Sequence, residues 1–177
     1  MIEPWYLLGQ DKTLHHVIQA TELEQSKYPA IMSGKHFIQM EDAVTHYEMK
    51  EPLYQPDFLF DPTFMVEDSM YKIWQELQPD ILGKAVQFFE ANNRENAPMP
   101  LYWVPFLPSE EDALHDQTKI ELGRAVEPVL RREKLAEKNF LHITLAGGQL
   151  WFASLTAVEA MLWKGQTGVQ ITSVEIR

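Results

Sequence analysis

His142-Ile143-Thr144 has the form His-x-Thr. In such a motif a histidine moves a proton at a phosphodiester while the hydroxyl two places on contacts phosphate. That chemistry needs two copies, one histidine acting as acid and the other as base. The remaining histidines stand in His15-His16-Val17, His16-Val17-Ile18, His36-Phe37-Ile38, His46-Tyr47-Glu48 and His115-Asp116-Gln117. None has Ser or Thr two places on. A lone copy reads as an outward-facing histidine on a half-buried strand.

Metal chemistry is no better served. His15 and His16 are adjacent, so on a helix they diverge by about 100° and cannot share an ion. No His-Glu-x-x-His occurs. Glu110, Glu111, Asp112, His115 and Asp116 offer oxygen ligands, but without EF-hand spacing or a glycine to turn the loop. A solvated acidic face, or a partner-binding patch, accounts for them better. Glu110, Glu111, Asp112 and Asp116 are therefore the partner-binding candidates. Ser154 lies in Phe152-Ala153-Ser154-Leu155-Thr156, which is not a nucleophile elbow, and a helix N-cap explains it fully. The glycines at 147–148 and 165–168 fit neither a phosphate loop nor a dinucleotide fingerprint. There is no cysteine, which removes disulfides, thiolate metal sites and a thiol nucleophile together. The expectation is no catalytic residue, no metal ligand set and no cofactor.

Charge points to a different kind of work. Twenty-six acidic residues against 15 basic ones give a formal charge of −11. Such a field repels nucleic-acid backbones and favours basic protein partners. No apolar run approaches the roughly 20 residues of a membrane span, and Met1-Ile2-Glu3-Pro4-Trp5 lacks the features of a signal peptide. A cytoplasmic protein that binds neither membrane nor nucleic acid is expected. The five tryptophans, Trp5, Trp74, Trp103, Trp151 and Trp163, are read as core, and any exposed one as a binding anchor.

The elements that would position these residues alternate irregularly. Trp5-Tyr6-Leu7-Leu8 reads as a strand with Gly9-Gln10-Asp11 as a turn. Residues 14–23 suggest a short helix, and 30–40 a strand around Phe37-Ile38. Prolines 56 and 62 hold Phe58-Leu59-Phe60 extended. Val66, Met70, Ile73, Trp74 and Leu77 mark one face of a helix, with Glu67 and Asp68 in its first turn and Pro79 beyond it. Strands follow over 84–90 and 101–104. Ser109 could cap a short helix, and Pro128 breaks any helix spanning 116–138. Leu141, Ile143 and Leu145 alternate with His142 and Thr144 as a half-buried strand. Gly147-Gly148 would turn it into Leu150-Trp151-Phe152. Ser154 then caps a helix whose stripe is Leu155, Val158, Met161 and Leu162, closed by Lys164-Gly165. Residues 168–176 form a last strand whose apolar pattern slips register, suggesting a bulge. The pattern predicts one α+β domain over 1–177, with a mostly antiparallel or mixed sheet and a few short amphipathic helices.

The order of segments resembles the immunity proteins of bacterial polymorphic-toxin systems, the group first described as domain of unknown function 1629. The matching residues are Pro56-Asp57-Phe58-Leu59, Phe64-Met65-Val66 with the helix after it, and Tyr102-Trp103-Val104-Pro105. They continue with Phe140-Leu141-His142-Ile143, Leu150-Trp151-Phe152-Ala153-Ser154, the helix to Trp163, then Gly165 and Gly168-Val169. The resemblance covers residues 54–177, leaving 1–53 unassigned. It departs at Val66-Glu67-Asp68, where relatives often carry Ser. It implies a protein that binds a cognate toxin and blocks it, with no catalytic residues to carry over; the charge of −11 adds the expectation that this toxin is basic. A small hydrolase using Asp, Glu or His142, or an accessory domain with an unrelated partner, are the alternatives. Nothing in one sequence fixes the oligomeric state.

Overall fold

The computed structural model describes residues 3–20, 23, 34–49, 53–92, 94–146 and 148–177. The first strand, β1 (Trp5–Gln10), continues through Gly9 and Gln10 rather than turning there. It lies in a five-stranded sheet. The neighbours of β1 are two late strands, so the N-terminal portion is built into the C-terminal one.

A second five-stranded sheet contains β2 (Ala43–Tyr47), β3 (Phe58–Leu59), β4 (Met65–Glu67), β5 (Leu82–Glu90) and β6 (Leu101–Phe106), in the order β2-β5-β6-β4-β3. The pair β2 and β5 is parallel and the other pairs are antiparallel. The strand β6 runs two residues beyond expectation and includes Pro105, opposite Gly83. Proline is tolerated there because β4 pairs only as far as Trp103, leaving no ladder partner that needs the missing N–H.

Further along come the hairpin β7 (Lys119–Glu121) and β8 (Arg124–Glu127), then β9 (Val129–Leu130), β10 (Phe140–Leu145), β11 (Gly148–Ser154) and β12 (Val169–Ile176). The first sheet has the order β10-β11-β1-β12-β9, with only the β12–β9 pair parallel. Leu145 pairs with Gly148, so strand pairing resumes at the second glycine; Gly147 lies outside the described residues. The expected bulge in β12 is absent, and its register with β1 is unbroken from Trp5 opposite Val174 to Gln10 opposite Val169. The apparent slip has another cause. Val169 and Ile171 face one apolar core, whereas Val174 and Ile176 face a second core on the opposite side of the sheet. One strand serves both.

Three helices occur among the described residues: α1 (Gly34–Gln39), α2 (Asp68–Leu77) and α3 (Leu155–Lys164). The largest core gathers α2, α3, one face of the first sheet and strands β3 and β4 of the second. Its centre is aromatic. Trp74 stacks on Phe140 with ring centroids 4.1 Å apart, and Phe64 stacks on Trp151 at 5.2 Å. Offset stacking of buried rings adds roughly 0.5–1.5 kcal/mol per pair beyond area burial. The other face of the second sheet packs on α1, with Phe37 stacked on Phe106. The other face of the first sheet is covered by two 3₁₀ turns, Glu111–Ala113 and Arg132–Lys134, through Ala113 and the adjacent Leu135.

Several local expectations give way. Residues 34–39 of the segment read as a strand are helical, and 30–33 lie outside the described residues. Residues 14–20 form no helix; Val17 makes an isolated bridge to Tyr54 and His16 takes a positive φ. The α2 helix begins at Asp68, with Glu67 as its N-cap: Oε2 accepts from the backbone N–H of Ser69 at 2.9 Å and of Met70 at 3.4 Å. Ser154 caps α3 as expected, its Oγ accepting from Ala157 N–H at 3.2 Å and donating to Asn139 at 2.9 Å. Among the described residues no helix is long and apolar enough to cross a membrane.

Candidate interaction surface

The acidic segment expected to bind a partner lies beside β10, where Glu110 N–H donates to the carbonyl of His142. Its charges are largely matched from within. Glu110 pairs with Lys138, Asp112 with Lys134, and Asp116 with Arg131 at 2.5 Å. The hydrogen bond from Lys134 holds the Asp112 carboxyl below its usual range. These cations come from the 3₁₀ turn and loop after β9, a segment 15 to 28 positions away in sequence. The surface there is a mosaic of both signs, and Glu111 is the member of the four without an ion pair among the described residues.

His142 does not face outward. It is 5% exposed. The strand β10 is buried on both faces because the first sheet has a layer on either side. The imidazole stacks on Trp151 at 4.6 Å, places Nδ1 2.9 Å from the carbonyl oxygen of Leu107 and Nε2 3.3 Å from Thr144 Oγ1. A carbonyl only accepts, so Nδ1 carries the proton and Nε2 accepts from the threonine. Burial pushes the imidazole pKa down, with the Leu107 carbonyl partly opposing it. Thr144 N–H donates to Ser109 Oγ at 2.8 Å. The second residue of the His-x-Thr motif thus ties its histidine into the core, and both ring nitrogens are engaged there.

The exposed apolar side chains lie elsewhere. Trp163 on α3 is 91% exposed and Leu162 beside it 56%. The buried face of α3 is Ala157, Val158 and Met161. The sequence expectation places Trp163 in the core and Leu162 in the buried stripe, yet helical geometry carries the contrary signal. Trp163 follows Met161 by two residues, about 200° round the axis, so the two cannot face the same side. Leu162 sits at the margin of the buried arc. Glu159, one turn before Trp163, shares its face and is exposed. Among the described residues Glu159 has no ion-pair partner. Lys164, next to the tryptophan, is engaged by Glu67 Oε2 at 3.6 Å.

The hairpin of β7 and β8 is a second exposed feature, outside both large sheets. Its turn residues Leu122 and Gly123 both have positive φ, the geometry of a two-residue hairpin turn. Leu122 at the tip is fully exposed, and Ile120 and Val126 are more than half so or close to it. Among the described residues no group of three or more His, Cys, Asp or Glu is placed to hold a metal ion.

No protein-family model and no curated protein matches this chain.

Proposed function

We propose that this chain is a binding and inhibitory protein that neutralises a cognate bacterial toxin by direct protein–protein contact. The observation that carries this reading is the bare Trp163 with Leu162 on the outer side of α3, in a chain of net charge −11. Tryptophan supplies large, rigid contact area and is enriched among the residues that dominate binding energy. An excess of carboxylates speeds encounter with a basic partner and disfavours acidic ones. The order of segments from residue 54 onward, with its resemblance to toxin-immunity proteins, supplies the kind of partner.

The test is capture of partners by the tagged full chain from its host's lysate, eluted with rising salt. Expected is one basic protein, recovered one-to-one, whose toxicity is abolished by co-expressing this chain. Absence of a stoichiometric partner, or a partner whose activity the chain leaves intact, overturns the reading.

A further inference from the structure

We infer that the outer face of α3 is an arginine-recognition surface, on which Trp163 and Glu159 together hold a guanidinium group of a basic partner protein. The inference rests on reading the chain as a binding protein and adds which side chain of the partner is gripped and where.

The geometry supplies both halves of such a site. Residues four apart on a helix are neighbours on one face. The Trp163 indole offers a π face, on which a guanidinium stacks better than an ammonium does. The Glu159 carboxylate offers two acceptors matching the guanidinium fork. Leu162, more than half exposed beside the indole, gives the aliphatic stem of an arginine an apolar surface. The nearest cation in sequence does not compete, because Lys164 is held by Glu67 at the N-terminus of α2. Both key side chains face solvent rather than the core. Ala157, Val158 and Met161 bury the helix, Ser154 caps its start and Gly165 closes its end. The charge of −11 selects a basic occupant over a nucleic acid.

The experiment uses the full chain labelled with nitrogen-15 and follows its five tryptophan indole N–H signals by NMR. The Trp163 signal is assigned by its loss in Trp163→Phe. The probe is a short arginine-rich peptide, compared with a peptide of the same length carrying lysine at each arginine. Expected is a saturable shift of the Trp163 signal while the other four stay still. The affinity should fall roughly threefold with the lysine peptide and by a similar factor in Glu159→Gln, the size expected of one exposed cation–π or ion-pair contact. Both substitutions are at solvent-facing positions, so the unchanged remainder of the spectrum verifies the fold. An unmoved Trp163 signal, equal affinity for the two peptides, or full affinity in Glu159→Gln overturns the inference. Capture of a toxin by a chain that fails this test would leave the proposed function standing with its interface elsewhere. Selective arginine binding without any stoichiometric partner in the lysate would do the reverse.

Discussion

Thr167 donates its backbone N–H to Asp57 Oδ2 at 2.7 Å, and Asp57 returns its own N–H to Thr167 Oγ1 at 3.1 Å. The threonine hydroxyl donates to the same carboxylate oxygen at 2.8 Å. The two residues are 110 positions apart, and their exchange fastens the approach to β3 in one sheet to the approach to β12 in the other. Beside it, buried Tyr102 donates its phenol to the carbonyl of Pro56 at 2.7 Å. The Pro56-Asp57 motif is therefore a clasp between sheets.

Asp57→Ala leaves the Thr167 amide and hydroxyl without their acceptor and is expected to cost about 1–2 kcal/mol, toward the lower end of the range for an orphaned donor because the site is only partly buried. Asp57→Asn keeps one acceptor oxygen and should cost less. Urea unfolding of the two variants checks the order; equal losses would show that the carboxylate's charge, not its acceptor geometry, matters.

Three glycines separate crowding from backbone strain. A Cβ on Gly165 meets nothing within 4 Å, but its φ of 76° is left-handed, so Gly165→Ala should cost about 1 kcal/mol. A Cβ on Gly168 would lie 2.6 Å from the carbonyl of Phe58 and from Pro56 Cβ, at a φ of 85°. Gly168→Ala should therefore be the most damaging of the three. Gly83 has no left-handed φ, yet its Cβ would fall 2.6 Å from Tyr71 Cζ, in a ring stacked on Trp103. Gly83→Ala should cost about 1–3 kcal/mol through overpacking alone. Thermal unfolding of the three variants gives the ranking, and a neutral Gly83→Ala would mean that Tyr71 can move aside.

His142 makes stability depend on pH in a stated direction. Its pKa in the fold is lowered from the ordinary 6.5 by burial, so the unfolded chain takes up the proton first as pH falls. The stability tied to the neutral imidazole is fully present above about pH 6.5 and is lost progressively as pH drops from there toward the folded pKa. The unfolding free energy of wild type should therefore fall more steeply than that of His142→Asn between about pH 6.5 and pH 5. Parallel curves would mean that the buried imidazole accepts the proton at little cost.

Glu67 joins two helices, capping α2 and reaching Lys164 of α3. Glu67→Ala should cost about 1 kcal/mol, the usual size of a lost N-cap. Lys164→Ala should cost a fraction of that, since a half-exposed ion pair contributes little. Chemical unfolding of both variants checks this, and a larger loss from Lys164→Ala would place the energy in the helix–helix bridge.

The sequence by itself determined the α+β class, the strands at 101–104, 141–145 and 150–152, and the α3 helix with its Ser154 cap and Gly165 stop. Those segments carry strong local signals: alternation with period two, β-branched and aromatic runs, a capping hydroxyl and a glycine at a left-handed position. The acidic character of the chain was equally plain. Tertiary structure decided the rest. His142 alternates with apolar neighbours as a surface residue would, but a layer on each side of its sheet buries both faces of the strand. The pattern of β12 looks like a bulge because one continuous strand feeds two cores. The segment at 34–39 becomes helical where packing of Phe37 on Phe106 outweighs its local preference. The carboxylates of 110–116 meet their cations only because chain distant in sequence folds alongside them. Trp163, which its residue type alone would assign to the core, stands in solvent because three smaller residues already fill the buried arc of its helix. Periodicity specifies which side chains share a face; what lies opposite that face is settled only when the other elements arrive.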